Sequence, residues 1–142
     1  MITPSRGASL VNAYIGGFTP AFDLPESSSL SEAVGRLHRI GGQRLVRDMS
    51  AIFLDDVPLR LTAARIALAA ADRHGVQHAT HSMKSSCAQF GAATMQRLCA
   101  AAEQFAIQGA LDRVPGLLDA LEVEFRGVRS WIEREVDHTP DA

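Results

Sequence analysis

A chain of 142 residues is long enough for one domain with a single core and too short to hold a kinase catalytic domain as well. Apolar residues make up 46% of it and aromatic residues only 6%, a balance that favours helices packed through aliphatic side chains. The formal net charge of -2 shows none of the basic surplus of a nucleic-acid binder, and no apolar run approaches the ~20 residues that span a bilayer.

Residues 1–28 mix Gly16-Gly17, Pro4, Pro20, Pro25 and Ser27-Ser28 with isolated apolar residues, the composition of a leader or linker. Within it Leu10, Val11, Tyr14, Ile15 and Phe18 can form a short adhesive segment for the rest of the chain or for a partner. The first residues lack the basic-then-apolar layout of a secretory signal, which predicts a cytoplasmic protein. Ser29 or Ser31 can cap a short helix that ends before Gly41-Gly42. A longer helical segment then reaches about Asp72, with a kink or brief interruption expected at Pro58. His74-Gly75 reads as a turn, after which a helix runs to Phe90 and stops at Gly91, whose freedom of φ suits a C-terminal cap.

Residues 93–108 place Met95, Leu98, Cys99, Ala102, Phe105 and Ala106 on one face, and Gly109 ends that helix. The last helix runs from about Leu111 to Val136, with Val114, Leu117, Leu118, Leu121, Phe125, Val128 and Ile132 as its stripe. Pro115 falls in its first turns, where a missing N–H costs little. Trp131 reads as a half-buried packing residue, and Arg126, Arg129 and Arg134 with Glu122, Glu124 and Glu133 as a solvated face. The fold class is therefore all-α: an antiparallel up-and-down four-helix bundle with a short additional N-terminal helix as a lid. The expected organisation is a leader over 1–28, the bundle over 29–137 and a tail over 138–142. The free cysteines Cys87 and Cys99 lie in apolar contexts and are expected in the core, unbridged.

The stretch from His81 to Ala92, HSMKSSCAQFGA, carries the chemistry. At about 100° per residue, Lys84 and Ser85 lie on the same side as His81, one turn further on, while Val76, Met83, Cys87 and Phe90 form the opposite, apolar stripe. That arrangement puts the His81 imidazole in water, where another protein's active site can reach it. Phosphoryl transfer demands positioning and charge stabilisation more than covalent chemistry from the protein, and Lys84 can supply a cation for phosphoryl oxygens. Ser82, Ser85 and Ala88 are short and leave the ring standing clear.

The same stretch resembles the signature of histidine-containing phosphotransfer (HPt) domains, approximately H-x-x-K-G-S-x-x-x-x-G-A. His81, Lys84, Ser86, Gly91 and Ala92 fall at matching places, and Ser85 stands where the family usually has glycine. Ile40-Gly41-Gly42, the Phe53 to Pro58 segment and Ala67-Leu68 look like the family's preceding helices, and Leu98-Cys99, Glu103 and Gly109 fit downstream. The resemblance covers about residues 30–135. It implies a phosphocarrier in a two-component phosphorelay: His81 accepts a phosphoryl group from a receiver-domain phospho-aspartate and passes it to another receiver, with no kinase activity of its own. Lys84 would stabilise the phosphohistidine, Ser85 would shape the surface, and Glu103 would orient the ring. The implied partners are response-regulator receiver domains, a hybrid sensor histidine kinase, or both, met by a monomer that binds neither nucleic acid nor membrane. The chain itself needs no cofactor or metal, and Mg²⁺ is expected in the partner receiver domain. As in related domains, Leu37, Ile40 and Leu45 could form a docking patch, with core packing the expected role for most of them.

Two further readings belong to other classes. His74, His78 and His81 recur at i, i+4 and i+7 and could project together as metal ligands, although no acidic or cysteine ligand joins them on that face and Lys84 would repel a cation. Alternatively the bundle is a helical interaction module without phosphate traffic, in which His81 is an ordinary surface histidine.

Overall fold

The computed structural model describes residues 26–137, and the readings for residues 1–25 and for the tail 138–142 lie outside them. Four helices follow in order: α1 (Glu26–Ala69), α2 (Arg73–Phe90), α3 (Ala93–Ile107) and α4 (Val114–Glu135), with a single 3-10 turn at Leu111–Arg113 leading into α4. Connections of a few residues make the neighbours antiparallel, and the all-α up-and-down bundle expected from the periodicity is the one observed.

The short additional helix is the first arm of α1. Gly42 adopts φ 69° and ψ -167°, a backbone state that glycine reaches at little cost, and it divides α1 into an N-terminal arm and a long arm. Ser29, one of the two expected caps, lies inside the N-terminal arm, since the helix already includes Glu26. Its hydroxyl donates to the Gly91 carbonyl at 2.7 Å, while Leu30 and Ala33 from the same arm are buried. The arm thus rests on the end of α2. At the bend, Gln43 donates through Nε2 to the Val136 carbonyl.

Pro58 does not interrupt the long arm: Gly42 is the non-helical position in α1. Pro58 is exposed, so the carbonyl one turn back that loses its N–H partner lies on the wet side of the helix. The expected turn at His74-Gly75 is likewise replaced by a helix. Asp72 is the N-cap, its side chain accepting from the Gly75 N–H at 3.0 Å, and the chain reverses just before it at Ala70 and Ala71. Gly75 is required for space: a Cβ there would stand 2.5 Å from Asp72 Oδ2 and 2.9 Å from the Ala67 Cβ. Gly91 does cap α2 in the left-handed region, at φ 78°, with its own N–H and that of Ala92 returned to the Ala88 and Cys87 carbonyls.

All the apolar stripe residues named for α2 and α4 are buried, and in α3 all but Phe105, which is half-buried beneath the Arg113 guanidinium. Phe53 ties three helices together, stacking on Phe90 at 4.9 Å between ring centroids and meeting Phe125 at 5.9 Å. Cys87 and Cys99 are unbridged and fully buried. Trp131 is a buried core residue where half-burial was expected. Glu122 is exposed on the solvated face assigned to it, where Arg65 of α1 reaches both Asp119 at 2.9 Å and Glu122 at 3.0 Å on α4. The Asp119 hydrogen bond, reinforced by Glu122, holds the Arg65 pKa above its ordinary value.

Candidate functional site

The packing of α2 decides what faces solvent. Val76, Thr80, Met83 and Cys87 are buried against the other helices, which turns His81 outward with its side chain 60% exposed. One helix over, Glu103 projects from α3 and is only 15% exposed. Its carboxylate stands 3.0 Å from His81 Nδ1, and as a carboxylate accepts, the ring nitrogen is the donor. In the neutral ring that contact selects the tautomer with the proton on Nδ1 and leaves Nε2 with its lone pair. Among the described residues no hydrogen-bond partner occupies Nε2.

Lys84 leans back to the same carboxylate, with Nζ 3.3 Å from Oε1 and 3.2 Å from Oε2. Glu103 therefore gathers both residues that the sequence singled out, an imidazole and an ammonium from successive turns of α2. Ser85 is exposed, and its hydroxyl donates to the His81 carbonyl at 3.3 Å, so the side chain lies down on its own helix and keeps the surface low. Ser86 faces the other way and donates to Asp56 of α1 at 2.8 Å; Asp56 in turn accepts from Arg60. All four expected site residues, His81, Lys84, Ser85 and Glu103, are thus together on the outer face of α2 and α3.

His74, Gln77 and His78 line an open groove together with His81 and Glu103. Among the described residues no three His, Cys, Asp or Glu side chains are grouped so as to hold a metal ion. Of the apolar patch read from the sequence, Leu37 packs on the core, Leu45 is half-buried and Ile40 is 77% exposed. Three residues of α1 that were not singled out, Ile52, Leu59 and Ile66, also stand in solvent. They recur every seven residues, as Leu45 does before them, and this spacing was a signal available in the sequence. The Asp56–Ser86 contact sets the register between α1 and α2, so Leu59 and Ile66 flank the level of His81.

A helical bundle that exposes one imidazole, oriented by a carboxylate and accompanied by an ammonium, is the architecture of a histidine phosphotransfer module. The family model described as the Hpt domain matches residues 48–131, more than half of the chain, and the protein belongs to this family. Its structure is similar to the crystal structure of histidine-containing phosphotransfer protein B (HptB) from Pseudomonas aeruginosa PAO1, with 27% identity and a TM-score of 0.72, over 77% of this chain and 94% of that one. Among curated proteins none matches the sequence. The chain is a phosphotransfer carrier of the kind used in two-component phosphorelays. Among the described residues no helix is long and apolar enough to cross a membrane.

Proposed function

We propose that His81 is the phosphoryl acceptor and donor of this carrier. The observation that carries the reading is the Nδ1 to Glu103 contact of 3.0 Å, which holds the ring by one nitrogen and presents the other to solvent. Nε2 attacks the phosphorus of a receiver's aspartyl phosphate; the N–P bond forms as the P–O bond breaks, and the aspartate leaves as carboxylate with the electron pair. The ring keeps its Nδ1 proton and becomes positively charged, and the Glu103 carboxylate beside that proton stabilises the charge, as the acid of a nucleophile–base–acid triad does for its imidazolium. Lys84 serves phosphoryl oxygens at the expense of its contact with Glu103. Reversal of these steps passes the group to a second receiver.

The partners are response-regulator receiver domains, alone or attached to a hybrid sensor histidine kinase, and the acidic residues and Mg²⁺ of the transfer belong to the receiver. Leu59 and Ile66, exposed on either side of the level of His81, provide apolar surface for such a domain to cover. We place the reaction in the cytoplasm, carried out by a monomer. The test is incubation with phosphorylated receiver domains. Label moves to the wild-type chain and not to a His81→Gln variant; a chain that takes no label from any receiver of its organism, or a variant that still takes it, overturns the proposal.

A further inference from the structure

A phosphoryl group on His81 brings about two negative charges and three acceptor oxygens into the site, and they need donors. The Lys84 ammonium is shared with both oxygens of Glu103 and cannot meet all three phosphoryl oxygens. Side chains on a helix lean toward its N-terminus, so the His81 ring lies over the turn that carries Gln77 and His78, and Lys84 leans toward His81 and Glu103. The open groove at the ring has this composition: His74, Gln77, His78, His81 and Glu103 line it, and Lys84 does not. Glu103 fills the Nδ1 side, so a group on Nε2 has the wall formed by Gln77 and His78 within reach.

Given that His81 is the acceptor, we propose that His78, assisted by Gln77, binds the phosphoryl oxygens of phospho-His81. His78 is exposed and precedes His81 by three residues, the spacing at which helical side chains meet. An imidazole N–H and the Gln77 amide N–H both donate, which suits an anion with acceptors only. His74 stands two turns back, about 10 Å along the axis, and takes no part. The histidine column that could have offered three metal ligands instead supplies, from His78 and His81, a phosphoryl cradle whose nucleophile is its last member.

Phosphoramidate, a donor that needs no partner protein, tests this on the full chain. His78→Leu keeps the bulk of the side chain and removes its donor. It moves the ³¹P resonance of the phosphohistidine and shortens the life of the label about fivefold, the scale of one solvent-exposed hydrogen bond. His78→Gln restores a donor and brings the lifetime back to within about twofold of wild type. A His78→Leu chain with the wild-type resonance and lifetime overturns the inference and leaves His81 as acceptor, and so does a His78→Gln chain that decays like His78→Leu. A wild-type chain that takes no label on His81 removes both readings at once.

Discussion

His81 and Glu103 lie 22 residues apart on different helices and meet at 3.0 Å, so the direction of the nucleophilic ring is decided by how α3 packs on α2. The carboxylate is mostly sheltered while the ring is mostly exposed, and the sheltered partner is the one that stays in place. Glu103→Ala releases both the ring and Lys84, and labelling of His81 by phosphoramidate slows on the order of tenfold. Glu103→Gln still accepts from Nδ1 without the negative charge and falls between wild type and Glu103→Ala. Equal rates for all three in a pulse-labelling assay would mean that Glu103 does not assist the reaction.

Leu59 is 69% exposed beside the histidine helix. A Leu59→Glu substitution places a charge on the proposed receiver-facing surface without touching the core, so the melting temperature holds while transfer from a phosphorylated receiver slows on the order of tenfold. Stopped-time transfer assays read this directly, and an unchanged rate would move the docking face elsewhere.

Gly91 answers to two constraints at once. Its φ of 78° penalises any other residue, and a Cβ there would stand 2.5 Å from the Ser29 carbonyl oxygen and 2.6 Å from the Ala33 Cβ. Gly91→Ala therefore costs about 2–4 kcal/mol in urea unfolding, whereas Ser29→Ala, which removes only the hydroxyl bonded to Gly91, costs about 1 kcal/mol. Comparable losses for the two would show that the N-terminal arm is held mainly by its hydrogen bond.

Arg65 joins α1 to α4 through Asp119 and Glu122. A cation whose folded pKa is raised contributes stability that is complete below its unfolded pKa and fades only as pH climbs through the folded value, which for Arg65 lies above the already strongly basic range of a free guanidinium. Arg65→Ala therefore lowers stability by the same amount at pH 6 as at pH 9. Because the pair sits in solvent, that amount stays below about 1 kcal/mol and shrinks with added salt. A loss that varies between the two pH values in chemical denaturation would contradict this assignment.

The face of each helix was legible because burial repeats with the helical period: Val76, Met83, Cys87 and Phe90 fall on the buried side of α2, and His81 opposite them. Gly91 was legible for a similar local reason, as the end of that pattern followed by a residue free to take positive φ. Gly75 was misread because its role is set by Ala67 and Asp72, which the fold brings against it, and a glycine kept for space looks in sequence like one kept for a turn. The helix continues through Pro58 without an interruption because the cost of a proline depends on which side of the helix loses its N–H, and this one faces water. Ile52, Leu59 and Ile66 escaped notice since an apolar residue on an outer face has the same letter as one in the core. The grip of Glu103 on both His81 and Lys84 followed from no spacing, and only the family resemblance pointed to that residue.

Cys87 and Cys99 are sealed in the core, one on the helix that presents His81 and the other on the helix that presents Glu103. A maleimide dye can reach either sulfur only while the bundle is open around α2 or α3, so its uptake is a clock for opening of the helices that carry the two halves of the site. Slower uptake in the phosphorylated chain would reveal that the cargo clamps its own carrier shut.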